Sequence, residues 1–219
     1  MAQQLIVEGN DAIVLANILM KRGLNPPKGY SNPSKFTNKF VKQAGSISQV
    51  ELTLENALNQ PDLTNIGIIV DADQVGAVAR KEALIEKIAI ILNQPISAEL
   101  TFDAYGCLWQ VADTLKVGVW VMPNNQENGY LEHFLLELID GENATFQFAQ
   151  TKLEELMQEE FCEFTEIKKQ KALLHTYLAW QKNPGLPMGT AVQANYLNAR
   201  YSQADNFENW FKQVFELEN

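Results

Sequence analysis

"NIGIIVDADQVG" occupies residues 65–76. A mostly apolar run leads straight into Asp71 and Asp73, and Gly76 follows. A run that is apolar on both faces suits a central strand of a parallel sheet, which helices cover on both sides. The segment therefore reads as a buried strand with two carboxylates at its tip. Two readings of that tip stand open. Asp73 is placed to accept amide hydrogen bonds from a helix opening near Val75, or the two carboxylates together hold something positive.

Upstream, "QQLIVE" (3–8) reads as a short buried strand and "GNDAIVLANILMKRG" (9–23) as the helix after it. "LNPPKGYSNPS" (24–34) is a turn-rich loop, and "KFTNKFVKQAG" (35–45) is a weakly patterned strand. "SISQVELTLENALNQ" (46–60) is a helix that Ser48 would cap, with Glu51 three residues on. Downstream, "QVGAVARKEALIEKIAIILNQ" (74–94) carries a clear helical stripe. "AELTFDAYG" (98–106) and "VGVWVMP" (117–123) read as strands, and "GYLEHFLLELID" (129–140) as a short helix. After Gly141 the periodicity is helical, with helices expected over about 151–181, 190–199 and 206–216. Strand–helix alternation over residues 1–140 implies an α/β domain with a largely parallel sheet flanked by helices. Residues 141–219 would form a helical C-terminal extension packed on it.

Composition narrows the function classes. The chain is 46% hydrophobic with a net charge of −10, which argues against coating duplex DNA. The charge is uneven. Lys21, Arg22, Lys28, Lys35, Lys39 and Lys42 lie in a stretch without an acid. That stretch is either a solvated loop and strand edge or a contact for a phosphate backbone. Glu154, Glu155, Glu159, Glu160, Glu163 and Glu166 read as the wet face of a helix. Cys107 and Cys162 are far apart with no metal-ligand spacing, as expected of reduced structural thiols in a cytoplasmic protein. No apolar run approaches the ~18 residues of a membrane span, and the start lacks the basic and apolar regions of a signal peptide.

In an open parallel sheet, ligands bind beyond the carboxyl ends of the strands. Glu8 ends the first strand and Asp71 and Asp73 end a later one, so all three are able to meet at one rim. In an extended segment, positions 71 and 73 point to the same side. Like charges so close raise each other's pKa unless a cation intervenes. Mg²⁺ is such a cation, held by one or two carboxylates together with water and phosphate oxygens.

A glutamate ending the first strand in "LIVEGNDA", followed by "IIVDADQVG", resembles the Toprim domain of topoisomerases, bacterial primases and related nucleases. Glu8, Asp71, Asp73 and Gly76 carry the likeness. Residues 117–135 and 171–198 further resemble a small Toprim-related prokaryotic family, so the likeness spans nearly the whole chain. The resemblance implies a metal-dependent nuclease or phosphoryl-transfer enzyme using Mg²⁺ or Mn²⁺. Asp71 and Asp73 would be metal ligands and Glu8 a third ligand or the acid/base. Asp11 would assist, or serve only as a first-turn acid favoured by the helix dipole. Glu132 would belong to a second metal. Asn124 and Asn125 stand where a fully charged site would carry an acid.

Lys171 and His175 lie four apart and share a helix face, where Lys171 would bind phosphate and His175 act on a leaving oxygen. The bland alternative is a surface lysine and a partly buried histidine. The expected polymer is single-stranded nucleic acid or structured RNA rather than duplex DNA, contacted through Lys35, Lys39 and Lys42. By likeness, the setting is antiphage defence. A competing expectation is a non-catalytic Toprim-fold regulatory or protein-interaction module, with a protein partner or a second copy as its ligand. The net charge of −10 and the two asparagines favour it. A third is a hydrolase of a small phosphorylated molecule.

Overall fold

The computed structural model describes residues 1–9, 12–27, 40–96, 100, 104–111 and 114–217. Its centre is a five-stranded sheet of β1 (Ala2–Val7), β2 (Val41–Gln43), β3 (Leu63–Asp71), β4 (Cys107–Val111) and β5 (Leu115–Met122), in the order β2-β1-β3-β5-β4. Four strands are parallel, and edge strand β4 runs antiparallel to β5. The "NIGIIVD" segment is the core of β3, flanked by β1 and β5 as its two-faced apolarity requires.

Helices cover both faces. Ile6, Ile66, Ile68, Val70, Val119 and Val121 point to the layer made by α2 (Ile47–Leu58) and α3 (Ala77–Leu92). The alternate residues Leu5, Val7, Ile69, Trp120 and Met122 point to the other layer. That layer holds α1 (Ala12–Lys21), α4 (Leu131–Leu136), α5 (Ala144–Leu156), α6 (Lys169–Ala179), α7 (Met188–Gln193) and α8 (Asp205–Phe215). Helices from beyond residue 141 thus complete a core that begins at β1.

Helix α8 lies directly on the strands because two glycines make room for it. Gly67 of β3 and Gly118 of β5 are register partners. A Cβ on Gly67 would stand 2.9 Å from the Phe215 ring, and one on Gly118 would overlap Val214. The Trp210 indole then reaches the sheet, donating to the Cys107 carbonyl at 3.4 Å.

Several local expectations give way. Ser46, not Ser48, caps α2: its backbone is extended and its hydroxyl accepts the Gln49 amide at 3.4 Å, while Ser48 lies inside the first turn. The single helix expected over 151–181 is two, α5 and α6, with a connection over residues 157–168. Glu159, Glu160 and Glu163 fall in that connection, so the acidic block is not one helix face. Glutamates four apart, such as 155/159 and 159/163, repel along a helix and disfavour its continuation. The strand expected over 98–106 lies mostly outside the described residues, and the strand found next begins at Cys107. No helix among the described residues is long and apolar enough to cross a membrane.

Candidate functional site

From β1 the chain crosses by α1 to β2 on one side, and from β3 it proceeds toward β5 on the other. The strand order therefore reverses between β1 and β3. A crevice opens at such a switch point beyond the carboxyl ends. Glu8 and Asp71 stand there. Glu8 donates its amide to the Ile69 carbonyl at 3.0 Å, and its side chain turns across to accept the Asp71 amide at 3.1 Å.

Asp71 continues the register of Ile69 and faces the α4 layer. Its carboxylate accepts the Leu131 amide at 3.1 Å, which ties the end of β3 to the start of α4. Asp73 does not continue the strand. Its φ is +51°, in the left-handed region that aspartate visits more readily than most residues. The expectation that 71 and 73 share one side of an extended segment gives way to this turn. Two backbone hydrogen bonds pair Asp73 with Gly129, at 2.9 and 3.2 Å. The loop after β5 is thereby pinned onto the loop after β3.

Asp73 is also no helix cap. Helix α3 starts after Gly76, whose amide bonds back to the Ala72 carbonyl at 3.1 Å. Gly76 has a φ of +97°, which suits glycine alone. The Asp73 carboxylate instead meets the Arg80 guanidinium at 3.2 Å, and Arg80 Nε donates to the Asp71 carbonyl at 3.2 Å.

Opposite these acids stand residues of the helical layer. Glu132 opens α4 with its side chain 11% exposed, and the Lys171 ammonium lies 3.3 Å from its carboxylate. Asp71, Asp73, Glu132, Tyr130, Lys168 and Lys171 line one cavity of about 420 Å³. Tyr130 hydroxyl donates to the Ile167 carbonyl, which fixes the segment before α6 over the rim. Burial raises the Tyr130 pKa, and the negative charges of Glu132, Asp73 and Asp71 add to the rise. Burial lowers the pKa of His133, against the pull of Glu132 and Glu127, and its Nδ1 accepts the Tyr130 amide at 3.3 Å.

Other sequence candidates lie elsewhere. His175 is exposed, one turn along α6 from Lys171, and does not line this cavity. Asn125 is fully buried: its side-chain oxygen accepts the Val121 amide at 2.7 Å, and its carbonyl accepts the Lys81 ammonium at 2.8 Å. Asn124 accepts the amides of Gln126 and Glu127 at 3.2 and 3.0 Å. Both asparagines brace the turn after β5. Lys42 is half-buried on edge strand β2. Asp11, Lys35 and Lys39 lie outside the described residues.

Arg80, Tyr130 and Lys168 belong to the site and carry no motif of their own. The only available signals were the basic run around Lys168 and an arginine two turns after Asp73.

Among the described residues, no three Asp, Glu, His or Cys side chains are placed to hold a metal ion. Asp73 and Glu132 each face a cation, and Glu8 holds an amide. The donor set does not make a cage of three acids. Asp71 and Asp73 on one cavity match the one or two carboxylates that suffice for Mg²⁺.

DUF3226, a family described as proteins of unknown function, matches residues 2–216. No curated protein and no solved structure matches the chain.

Proposed function

We propose, for a chain that belongs to the DUF3226 family of proteins of unknown function, a Toprim-type, metal-dependent nuclease or phosphoryl-transfer activity on nucleic acid. One observation carries the reading. Acids and lysines converge on one 420 Å³ cavity at the switch point: Asp71, Asp73 and Glu132 with Lys168 and Lys171. Such a pairing of charges suits a divalent ion and a phosphodiester together.

Asp71 and Asp73 are the residues that would hold Mg²⁺ or Mn²⁺, and Glu8, whose carboxylate lies beside them on the Asp71 amide, would act as the acid/base. When bound, the ion supplies neutralisation of charge on the phosphate. Lys168 and Lys171 hold the phosphate from the α6 side, and Glu132 orients Lys171. A net charge of −10 favours RNA or a single strand, approached through a local basic strip that includes Lys42, over long duplex DNA. A cytoplasmic, antiphage role is the setting that the Toprim likeness suggests.

A second reading draws on a specific feature. The Asp73–Arg80 and Glu132–Lys171 pairs balance two of the acids with the chain's own cations. This favours a non-catalytic module with a protein partner or a second copy as its ligand.

Calorimetric titration with Mg²⁺ and Mn²⁺, comparing the wild type with Asp71→Asn/Asp73→Asn, separates the two. The enzyme reading expects saturable binding that the double variant loses, and Mn²⁺-dependent cleavage of RNA or single-stranded DNA that Glu8→Gln abolishes. Equal binding by both proteins, with no cleavage, leaves the non-catalytic reading standing.

A further inference from the structure

A cavity of about 610 Å³ lies away from the acidic rim. Helix α1 runs from beside the rim to Lys21 at its far end, a distance of about 15 Å for ten residues. Lys21 and Arg200 line the far cavity, with Asn143, Asn195 and Asn198. Its volume lies within the range of small-molecule sites, roughly 300–1,000 Å³.

The wall is rich in donors, and the hydrogen bonds show why. Asn143 Oδ1 accepts the Phe146 amide at 3.0 Å, Asn195 Oδ1 accepts the Lys21 ammonium at 3.0 Å, and Asn198 Oδ1 accepts the Arg200 amide at 3.1 Å. All three partners can only donate, so the oxygen of each asparagine is assigned by its contact. Each side-chain NH₂ is left without an acceptor among the described residues. The Arg200 guanidinium likewise has no hydrogen-bond or ion-pair partner among them. Three amide donors, a guanidinium and an ammonium exceed what the roughly four lone-pair sites of one carboxylate satisfy. A phosphate offers three peripheral oxygens and pairs with arginine in a bidentate manner.

Half of the remaining wall is aromatic, from Tyr177, Tyr196 and Tyr201. Tyr177 donates its hydroxyl to the Tyr196 carbonyl at 3.1 Å, and the Tyr196 hydroxyl accepts the Asn183 amide at 3.2 Å. Tyr177 is buried in the core, so the ring faces left for a ligand are those of the half-buried Tyr196 and Tyr201. Asp140 is the acid of the lining and an acceptor for a hydroxyl. We propose that this cavity binds a nucleotide-sized phosphorylated small molecule, its phosphate on Arg200, Lys21 and the asparagine amides and its ring body against Tyr196 and Tyr201. The site is separate from the rim and does not rest on the activity proposed there.

The test is calorimetry of the full chain with adenosine 5′-monophosphate, adenosine and inorganic phosphate. Adenosine 5′-monophosphate is expected to bind at least tenfold more tightly than either other probe. Arg200→Glu and Asn195→Asp should each weaken it at least tenfold, with circular dichroism unchanged because both positions are on the surface. Asp71→Asn should leave it unchanged, which separates this site from the rim. Saturable binding by none of the probes, equal binding of adenosine 5′-monophosphate and inorganic phosphate, undiminished binding by Arg200→Glu, or loss of binding in Asp71→Asn each overturns the proposal.

Discussion

The carboxylate of Glu8, just after β1, accepts the backbone amide of Asp71, at the end of β3, at 3.1 Å. One side chain thus ties together the ends of two parallel strands. Removing it leaves a part-buried N–H without its acceptor. Glu8→Ala should lower stability by about 1–2 kcal/mol, and Glu8→Gln, which keeps an acceptor oxygen, by less than half of that. Urea denaturation measures both. Negligible losses in both variants would show that the contact contributes nothing.

Arg80 competes with any cation for Asp73. Their 3.2 Å contact is partly exposed, with the Asp73 side chain 47% accessible, so its strength is modest. Arg80→Met should raise Mn²⁺ affinity about two- to fivefold, the equivalent of releasing one exposed pair. Unchanged or weaker affinity in calorimetry would remove Asp73 from the ligand set.

Lys171 and His175 lie on the same helix face but in different surroundings. Lys171 lines the rim cavity and pairs with Glu132, whereas His175 is exposed one turn away. If Lys171 meets a phosphate, Lys171→Ala should weaken binding of single-stranded RNA and reduce its salt slope by about one. His175→Ala should leave both within error. Filter binding across a salt series distinguishes them, and a larger effect at His175 would reverse the assignment.

The closeness of α8 to the sheet makes a separate prediction. Gly118→Ala puts a methyl group into Val214, and Gly67→Ala puts one 2.9 Å from Phe215. Each should destabilise by about 1–3 kcal/mol through overpacking. Thermal unfolding checks this, and a Val214→Ala change made together with Gly118→Ala should recover part of the loss.

Acid should loosen the attachment of α8. Burial works to raise the Glu208 pKa, but hydrogen bonds from Lys212 and Arg22 outweigh it and leave the net pKa below the ordinary value of 4.5. A depressed carboxyl pKa contributes stability above the unfolded value, and that contribution is lost as pH falls through the folded one. His133 adds a loss that starts earlier, since its pKa is lowered from 6.5 and the unfolded chain takes the proton first. Glu208→Gln should cost about 1–3 kcal/mol at pH 7 and progressively less below pH 4.5. Denaturation midpoints of both proteins across that range measure it. A difference that does not shrink in acid would exclude Glu208 as its source.

Much of the sheet is legible in local pattern. Residues 66–70 are apolar on both faces, and only a strand between two others, covered by helices on both sides, satisfies them. Glu8 and Asp71 end parallel strands, and parallel strands share one carboxyl edge, so residue order alone directs both to one rim. The glycine at 76 is singled out only by the Toprim likeness, and its φ of +97° is a finding of the structure.

What only the tertiary structure decided are contacts between segments distant along the chain. Asp73 leaves the strand because Gly129, 56 residues on, pairs with its backbone, and no periodicity encodes that partner. Tyr130, Lys168 and Lys171 reach the rim because α4 packs on β5 and α6 packs on α4. Arg80 and Lys171 neutralise Asp73 and Glu132 there, so the number of acids read along the chain overstates the charge at the site. Hydrophobic period reports which face of an element is buried, but which other element covers that face depends on packing summed over the whole core.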